Sequence, residues 1–132
     1  MIVADASLIV PLIIQEHPNC QTAQELSRRT LSWQAPSLWK SEVLNAIRRY
    51  MVAGRLDSQF GARAMELAGL KISTDPMDPD WHTLELAVRC GLSVYDAQYV
   101  QLARLLGHPL VTFDQRILQA APDVAIHPTA LL

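Results

Sequence analysis

Four acids pose the chemical question of this chain: Asp5, Glu42, Asp96 and Asp114. The chain opens MIVADAS, so an apolar run from Met1 to Ala4 stops on Asp5, an acid with no basic residue near it in sequence. Such a group must face water, pair with a distant base, or be held by a cation. Taken one at a time, each acid has an ordinary explanation. Asp5 suits a turn after a strand, Glu42 an exposed helical position, Asp96 an approximate capping box begun by Ser93, and Asp114 a helix N-cap. Taken together they are harder to dismiss. Two like charges ~4 Å apart repel by roughly 4 kcal/mol at an effective dielectric near 20, so converging carboxylates raise their own pKa values, splay apart, or take up a divalent cation. Oxygen donors without His or Cys beside them favour hard Mg²⁺ or Mn²⁺, with Ca²⁺ less suited because no looped cage of oxygens is evident. An ion of this kind activates a water and stabilises charge on a phosphoryl oxygen, which is the chemistry of phosphodiester hydrolysis, with one ion or two. Acids on separate surfaces, or acids neutralised by arginines, would defeat this reading.

The elements that must bring the acids together follow from apolar periodicity and breakers. Ile2 to Ala4 reads as a buried strand, with Ser7 as a hydroxyl N-cap for a helix over 8–15 and Pro11 in or just past its first turn. A helix over 19–29 and an extended piece around 31–35 come next. Pro36-Ser37 then opens a long helix whose apolar positions Leu38, Val43, Leu44, Ile47, Met51 and Val52 repeat at a helical period, placing Glu42 about two turns in. Asp57 caps a helix over 58–70, 71–74 is a second strand, and a helix over 80–90 stops at Gly91. Ser93 begins a helix that closes on Gly107, and Leu110 to Thr112 is a buried strand ending near Asp114. A short helix over 115–120 and a strand over 124–126 finish the chain. Short apolar strands alternating with helices predict βαβ units in a parallel sheet covered on both faces, with sites at the carboxyl ends of its strands. Asp5 and Asp114 both fall there.

The totals bound the answer. A chain of 132 residues fits one domain, residues 1–132, with half its residues hydrophobic and 18% charged. Its longest apolar run, Leu8 to Ile14, is far short of the ~20 residues that span a bilayer and contains Pro11, which predicts a cytoplasmic protein with no membrane contact. Cys20 and Cys90 lie outside any metal-ligand spacing and read as free thiols. A net charge of −2 argues against coating nucleic acid by bulk electrostatics. The basic residues Arg28, Arg29, Lys40, Arg48, Arg49, Arg55 and Arg63 nevertheless share one stretch whose only acids are Glu42 and Asp57.

At this point the motifs MIVADAS, WKSEVLNAIRR, LSVYDAQYVQLA and GHPLVTFD, in this order and spacing, resemble the PIN-domain ribonucleases, and among them the VapC toxins of toxin–antitoxin pairs. The resemblance spans essentially the whole chain. It implies a three-layer α/β/α fold around a parallel sheet of four to five short strands, Mg²⁺- or Mn²⁺-dependent endonucleolytic cleavage of single-stranded or looped RNA to 5′-phosphate and 3′-hydroxyl ends, a homodimer, and silencing by a cognate VapB-like antitoxin. It carries the acidic metal centre onto Asp5, Glu42, Asp96 and Asp114. Asp5 and Asp96 become the most direct ligands, Glu42 orients or activates water, and Asp114 holds a second ion or a bound water. Ser7 and Thr112 become their polar supports, with Asn45 a further member. Departing from many relatives, Phe113 stands between Thr112 and Asp114, and the run Gln115, Arg116, Ile117 lacks the acid that often follows the last aspartate.

Other residues carry weaker signals. Arg48 and Arg49 are candidate RNA-phosphate contacts that could equally face a partner's acids or solvent. Trp33, Trp39 and Trp81 fit core or interface better than base stacking, and His17, His82, His108 and His127 read as structural. Two other function classes compete. A phospho-acceptor signalling domain also gathers acids around Mg²⁺, but it needs a lysine on a late strand, and the only lysines here are Lys40 and Lys71. A non-catalytic PIN-like module that binds RNA or protein would keep the fold without using the acids.

Overall fold

The computed structural model describes residues 1–30 and 32–132. Its centre is β1 (Ile2–Ala4), whose three residues are all buried, as an unbroken apolar run requires of a strand covered on both faces. β2 (Trp33–Pro36) and β3 (Ile72–Asp75) pair outward from one side of β1, while β4 (Leu110–Val111) and β5 (Ala125–Ile126) pair outward from the other. Every pairing is parallel, in the order β3-β2-β1-β4-β5. The chain therefore winds away from β1 in one direction and resumes on its opposite side at β4. That reversal opens a crevice at the carboxyl ends of β1 and β4.

The intervening helices are α1 (Ala6–Ile13), α2 (Cys20–Arg29), α3 (Trp39–Val52), α4 (Ser58–Lys71), α5 (Trp81–Cys90), α6 (Val94–Leu106) and α7 (Gln115–Ala120), and a 3₁₀ turn over Pro128–Leu131 closes the chain. α1 packs against α2, α3 and α4, while α5 packs on α6 and α6 on β1 and β2, giving three α/β/α layers with a sheet of five strands. Trp33, Trp39, Leu8, Leu26, Val100 and Leu110 are fully enclosed in the core between them. Trp39 Nε1 donates to Thr74 Oγ1 at 2.8 Å, tying α3 to β3. Trp33 and Trp39 are thus core residues, and Trp81 alone of the tryptophans is largely exposed.

Most boundaries fall within two residues of expectation, and the exceptions have physical causes. α1 begins at Ala6 with Asp5 at its N-cap position, so Ser7 lies inside the helix rather than capping it. Pro11 lies well inside α1, where it removes one helical N–H. α3 begins at Trp39 because Pro36 belongs to β2, and this puts Glu42 in the first turn rather than two turns in. The extended piece expected around 31–35 is β2 from Trp33 onward, and Leu31 lies outside the described residues. Among the described residues, no helix is long and apolar enough to cross a membrane.

Candidate active site

Asp5, directly after β1, is buried although it has no basic partner among the described residues. Its carboxylate does not cap α1. Instead Ser7 Oγ donates to Asp5 Oδ1 at 2.7 Å and Thr112 Oγ1 donates to Asp5 Oδ2 at 2.7 Å. The two hydroxyls are themselves 3.1 Å apart. They also fix the chain that follows β4, because Phe113 N–H donates to Ser7 Oγ at 2.9 Å and Asp114 N–H donates to Thr112 Oγ1 at 2.9 Å. The strand pairing of Ala4 with Val111 is what brings residues so distant in sequence together.

Proton counting explains the electrostatics of this cluster. Each hydroxyl has one proton to give. With Asp5 ionised, both protons go to its oxygens, and the short Ser7–Thr112 contact contains none. With Asp5 protonated, a third proton lets all three oxygen–oxygen contacts become hydrogen bonds. Burial raises Asp5 to about 7, opposed by the Thr112 and Ser7 hydrogen bonds and reinforced by the charges of Asp114 and Glu42. A cation in the cleft would do for the ionised form what the extra proton does for the neutral one.

The other three acids surround this pair of strand ends. Glu42, on the first turn of α3, accepts from Tyr99 Oη at 2.6 Å. Burial raises its pKa most, the Tyr99 bond opposes, and the charge of Asp96 adds to the rise. Asp96 lies in the first turn of α6, where its N–H donates to the Ser93 hydroxyl at 3.0 Å and leaves its own carboxylate free of any capping duty. Burial and then the charge of Asp114 push its pKa up. Asp114 caps α7 through the N–H of Arg116 at 2.9 Å. Burial is the largest single influence on Asp114 and raises it, but the hydrogen bonds and charge of Arg116 together hold it below the usual carboxylate range. Asp5 therefore feels Asp114 and Glu42, Glu42 feels Asp96, and Asp96 feels Asp114, a closed circuit of repulsion.

The acids do not form a finished coordination shell. Among the described residues, no group of three or more Asp, Glu, His or Cys side chains stands ready to hold a metal ion. One arginine intervenes: Arg116 Nη2 lies 3.1 Å from Asp114 Oδ2 and 3.5 Å from Asp96 Oδ2. The arginine neutralisation that would count against a cation is thus present at two of the four acids and absent, among the described residues, at Asp5 and Glu42. The oxygen-only donor set still fits a hard ion that keeps several waters and takes only one or two carboxylates. Ser7 and Thr112 contact the cluster as expected. Asn45 is exposed and makes no side-chain hydrogen bond among the described residues.

Two participants were not expected from the sequence. Tyr99 stands three residues after Asp96, one helical turn on the same face, and that spacing was the available signal. Arg116 had none, because its reach to Asp96 joins α7 to α6. A cleft of about 470 Å³ leads away from the cluster, lined by Ser7, Asp114, Phe113, Arg49, Tyr50 and His17 among others. Arg49 therefore faces the acids' side of α3, while Arg48 lines an apolar groove with Leu44, Met51 and Met65 between α3 and α4.

Comparison with known proteins places this geometry in context. Residues 2–122 match the model of the PIN domain family. The chain is 31% identical over 121 residues to Ribonuclease VapC12 of Mycobacterium tuberculosis, covering 91% of this chain and 92% of that protein. It is 31% identical over 126 residues to Ribonuclease VapC3 of the same species, covering 92% and 88%. Among solved structures, PAE2754 from Pyrobaculum aerophilum superposes with a TM-score of 0.79 at 26% identity, over 98% of this chain and 91% of that one. The Mycobacterium tuberculosis VapC20 toxin, described as cleaving the sarcin-ricin loop, shares the fold with a TM-score of 0.70 at 18% identity, over 91% and 95%.

Proposed function

Since the chain belongs to the PIN-domain family and is similar to VapC ribonucleases, we propose that it is an Mg²⁺- or Mn²⁺-dependent endoribonuclease, the toxin of a VapBC-type pair. The observation that carries the reading is the buried Asp5, held by two hydroxyls at a topological switch point and repelled by further acids instead of being paired with a base. A carboxylate enclosed in this way is most simply a metal ligand in waiting.

When bound, the divalent ion supplies an activated water and stabilises charge on the phosphoryl oxygens. Asp5 and Asp96 would hold it most directly. Ser7 and Thr112, each bonded to one oxygen of Asp5, hold its carboxylate in one orientation. Glu42, fixed by Tyr99, orients the attacking water and accepts a proton from it. Asp114 holds a second ion or a further water. Arg49 positions an RNA phosphate in the adjoining cleft, with Arg48 a weaker candidate on the neighbouring face and Asn45 a peripheral polar group beside Glu42. Products bear 5′-phosphate and 3′-hydroxyl ends.

Residues 1–132 act as one domain in this reading. The likeness to VapC ribonucleases supports a VapB-type antitoxin as partner, and a cytoplasmic setting belongs to the same reading. A homodimer is supported by the apolar face of α5, where Trp81, Leu84 and Val88 are 69%, 40% and 76% exposed. The non-catalytic alternative is favoured by one observation, the Arg116 side chain over Asp96 and Asp114. One experiment separates the two. Purified protein freed of antitoxin should cut RNA with Mg²⁺ or Mn²⁺ and stop in EDTA. Asp5→Asn and Asp96→Asn should each lose at least about a hundredfold in rate while still binding RNA. Wild-type protein that binds RNA but leaves it intact with either ion would establish the binding module instead.

A further inference from the structure

The contact that argues against a metal centre also suggests how one is controlled. Arg116 is the second residue of α7, and its backbone N–H donates to Asp114 Oδ1 at 2.9 Å. This bond turns the side chain back over the cap. There Nη2 meets Asp114 Oδ2 at 3.1 Å and Asp96 Oδ2 at 3.5 Å, and Nε lies 3.4 Å from Asp114 Oδ1. The guanidinium is thus a monovalent cation set between two carboxylates from different helices, α6 and α7.

The two partners are unequal in exposure. The Asp96 and Asp114 side chains are 17% and 24% accessible, whereas that of Arg116 is 75% accessible. The acids are fixed by the fold, Asp96 on the first turn of α6 and Asp114 at the cap of α7. Among the described residues, the exposed arginine side chain is held by these two carboxylates alone. Exposed ion pairs of this kind are weak. A divalent cation brings twice the charge to the same oxygens, yet it must first remove the guanidinium hydrogens from Asp114 and Asp96. Occupancy by the two cations is mutually exclusive at those atoms.

We propose that Arg116 is a built-in counter-cation that competes with the divalent ion for Asp96 and Asp114, and so sets the metal concentration at which the cleft is loaded. The proposal rests on the metal-dependent nuclease reading. By linkage, whatever free energy Arg116 contributes to these pairs is subtracted from metal binding.

The test is Mn²⁺ binding to the purified full chain, followed by electron paramagnetic resonance of the free ion, with folding of every variant verified by its thermal transition. Arg116→Gln should tighten Mn²⁺ on the order of three- to tenfold, the range set by weak exposed pairs. Arg116→Lys, which keeps the charge but loses the fork that spans two acids, should fall between Gln and wild type. Arg104→Gln removes a cation paired with Asp123 away from the cleft and should leave the affinity unchanged. In wild-type protein the Arg116 Nε–H resonance should shift with Mg²⁺ at the midpoint of metal binding. Equal or weaker Mn²⁺ binding by Arg116→Gln, with Asp96→Asn still losing the ion, overturns the competition and leaves the nuclease reading standing. Absence of Mn²⁺ binding in both wild type and Arg116→Gln overturns both.

Discussion

At the scale of single residues, the proposed function turns on a carboxylate whose environment is short of positive charge. Asp5 has a folded pKa of about 7, raised chiefly by burial, against roughly 3.9 in an unfolded chain. The folded, metal-free protein therefore binds this proton more tightly than the unfolded one. Its contribution to stability is full below the unfolded value and is lost as pH rises from about 4 to about 7. Glu42 and Asp96, also raised, act in the same direction, and Asp114, lowered, acts against them. Thermal melts in EDTA between pH 5 and pH 8 should show stability falling with pH, with Asp5→Asn losing the largest share of the slope. An undiminished slope in that variant would assign the titration to another group. Metal binding should release a proton below pH 7 and gain affinity as pH rises through that value. Thr112→Val removes one of the two hydroxyls on Asp5 and should weaken Mn²⁺ binding about 10- to 100-fold, read by the same titration. The Ser7 hydroxyl would then be the sole protein donor to Asp5.

At the scale of elements, Asp5 and Asp96 are displayed because something else performs the local structural duty that could have consumed them, whereas Asp114 caps α7 itself. Ser93 caps α6 and frees Asp96, and the turn into α1 is made by the backbone carbonyl of Asp5, which accepts from Leu8 and Ile9 and leaves its carboxylate to Ser7 and Thr112. Tyr99, almost fully buried on α6, steadies Glu42 on α3, so one hydrogen bond links the two helices. Tyr99→Phe should destabilise the fold by about 1.5–3 kcal/mol, the range for a hydrogen bond to a charged group, and move the Glu42 pKa further up. Chemical denaturation and a carboxyl-resolved NMR titration check the two effects. The approach of α3 to α4 is set at Gly61, where an added Cβ would lie 3.0 Å from Met51 Sδ and 3.2 Å from Ile47 Cγ2. Met51 is flexible and partly exposed, so Gly61→Ala should stay within about 1 kcal/mol of wild type, its contact offset by better helix propensity. Gly61→Val should cost roughly 1–3 kcal/mol, because Ile47 is buried and cannot yield. Denaturant midpoints for the pair give the comparison, and equal stability would show the interface to be looser than its spacing implies.

At the scale of the whole molecule, the crevice exists because the parallel sheet reverses its winding at β1, and the cation that fills it should report on the entire fold. Mn²⁺ at about a hundred times its Kd adds about 2.7 kcal/mol, which in a chain of this size raises Tm by roughly 5–15 °C. Calorimetry with and without metal measures it, and Asp5→Asn should lose most of the gain. Much of this organisation was legible along the chain. Asp57, Asp80, Ser93 and Asp114 all sit at helix starts, Gly91 and Gly107 end helices in left-handed conformations, and apolar runs mark the strands, because propensity, capping and periodicity act over a few residues. The motif order was likewise enough to point to the PIN-domain family, with its parallel sheet and its four acids. By itself, then, the sequence determined most of the elements and the family, and it singled out four carboxylates as candidates. Only the tertiary structure decided that Ser7 serves Asp5 instead of capping a helix, that Tyr99 holds Glu42, that Arg49 and not Arg48 faces the cleft, and that Arg116 covers the outer acids. Those contacts join residues up to 57 positions apart through helix packing, and no local preference along the chain encodes such a distance.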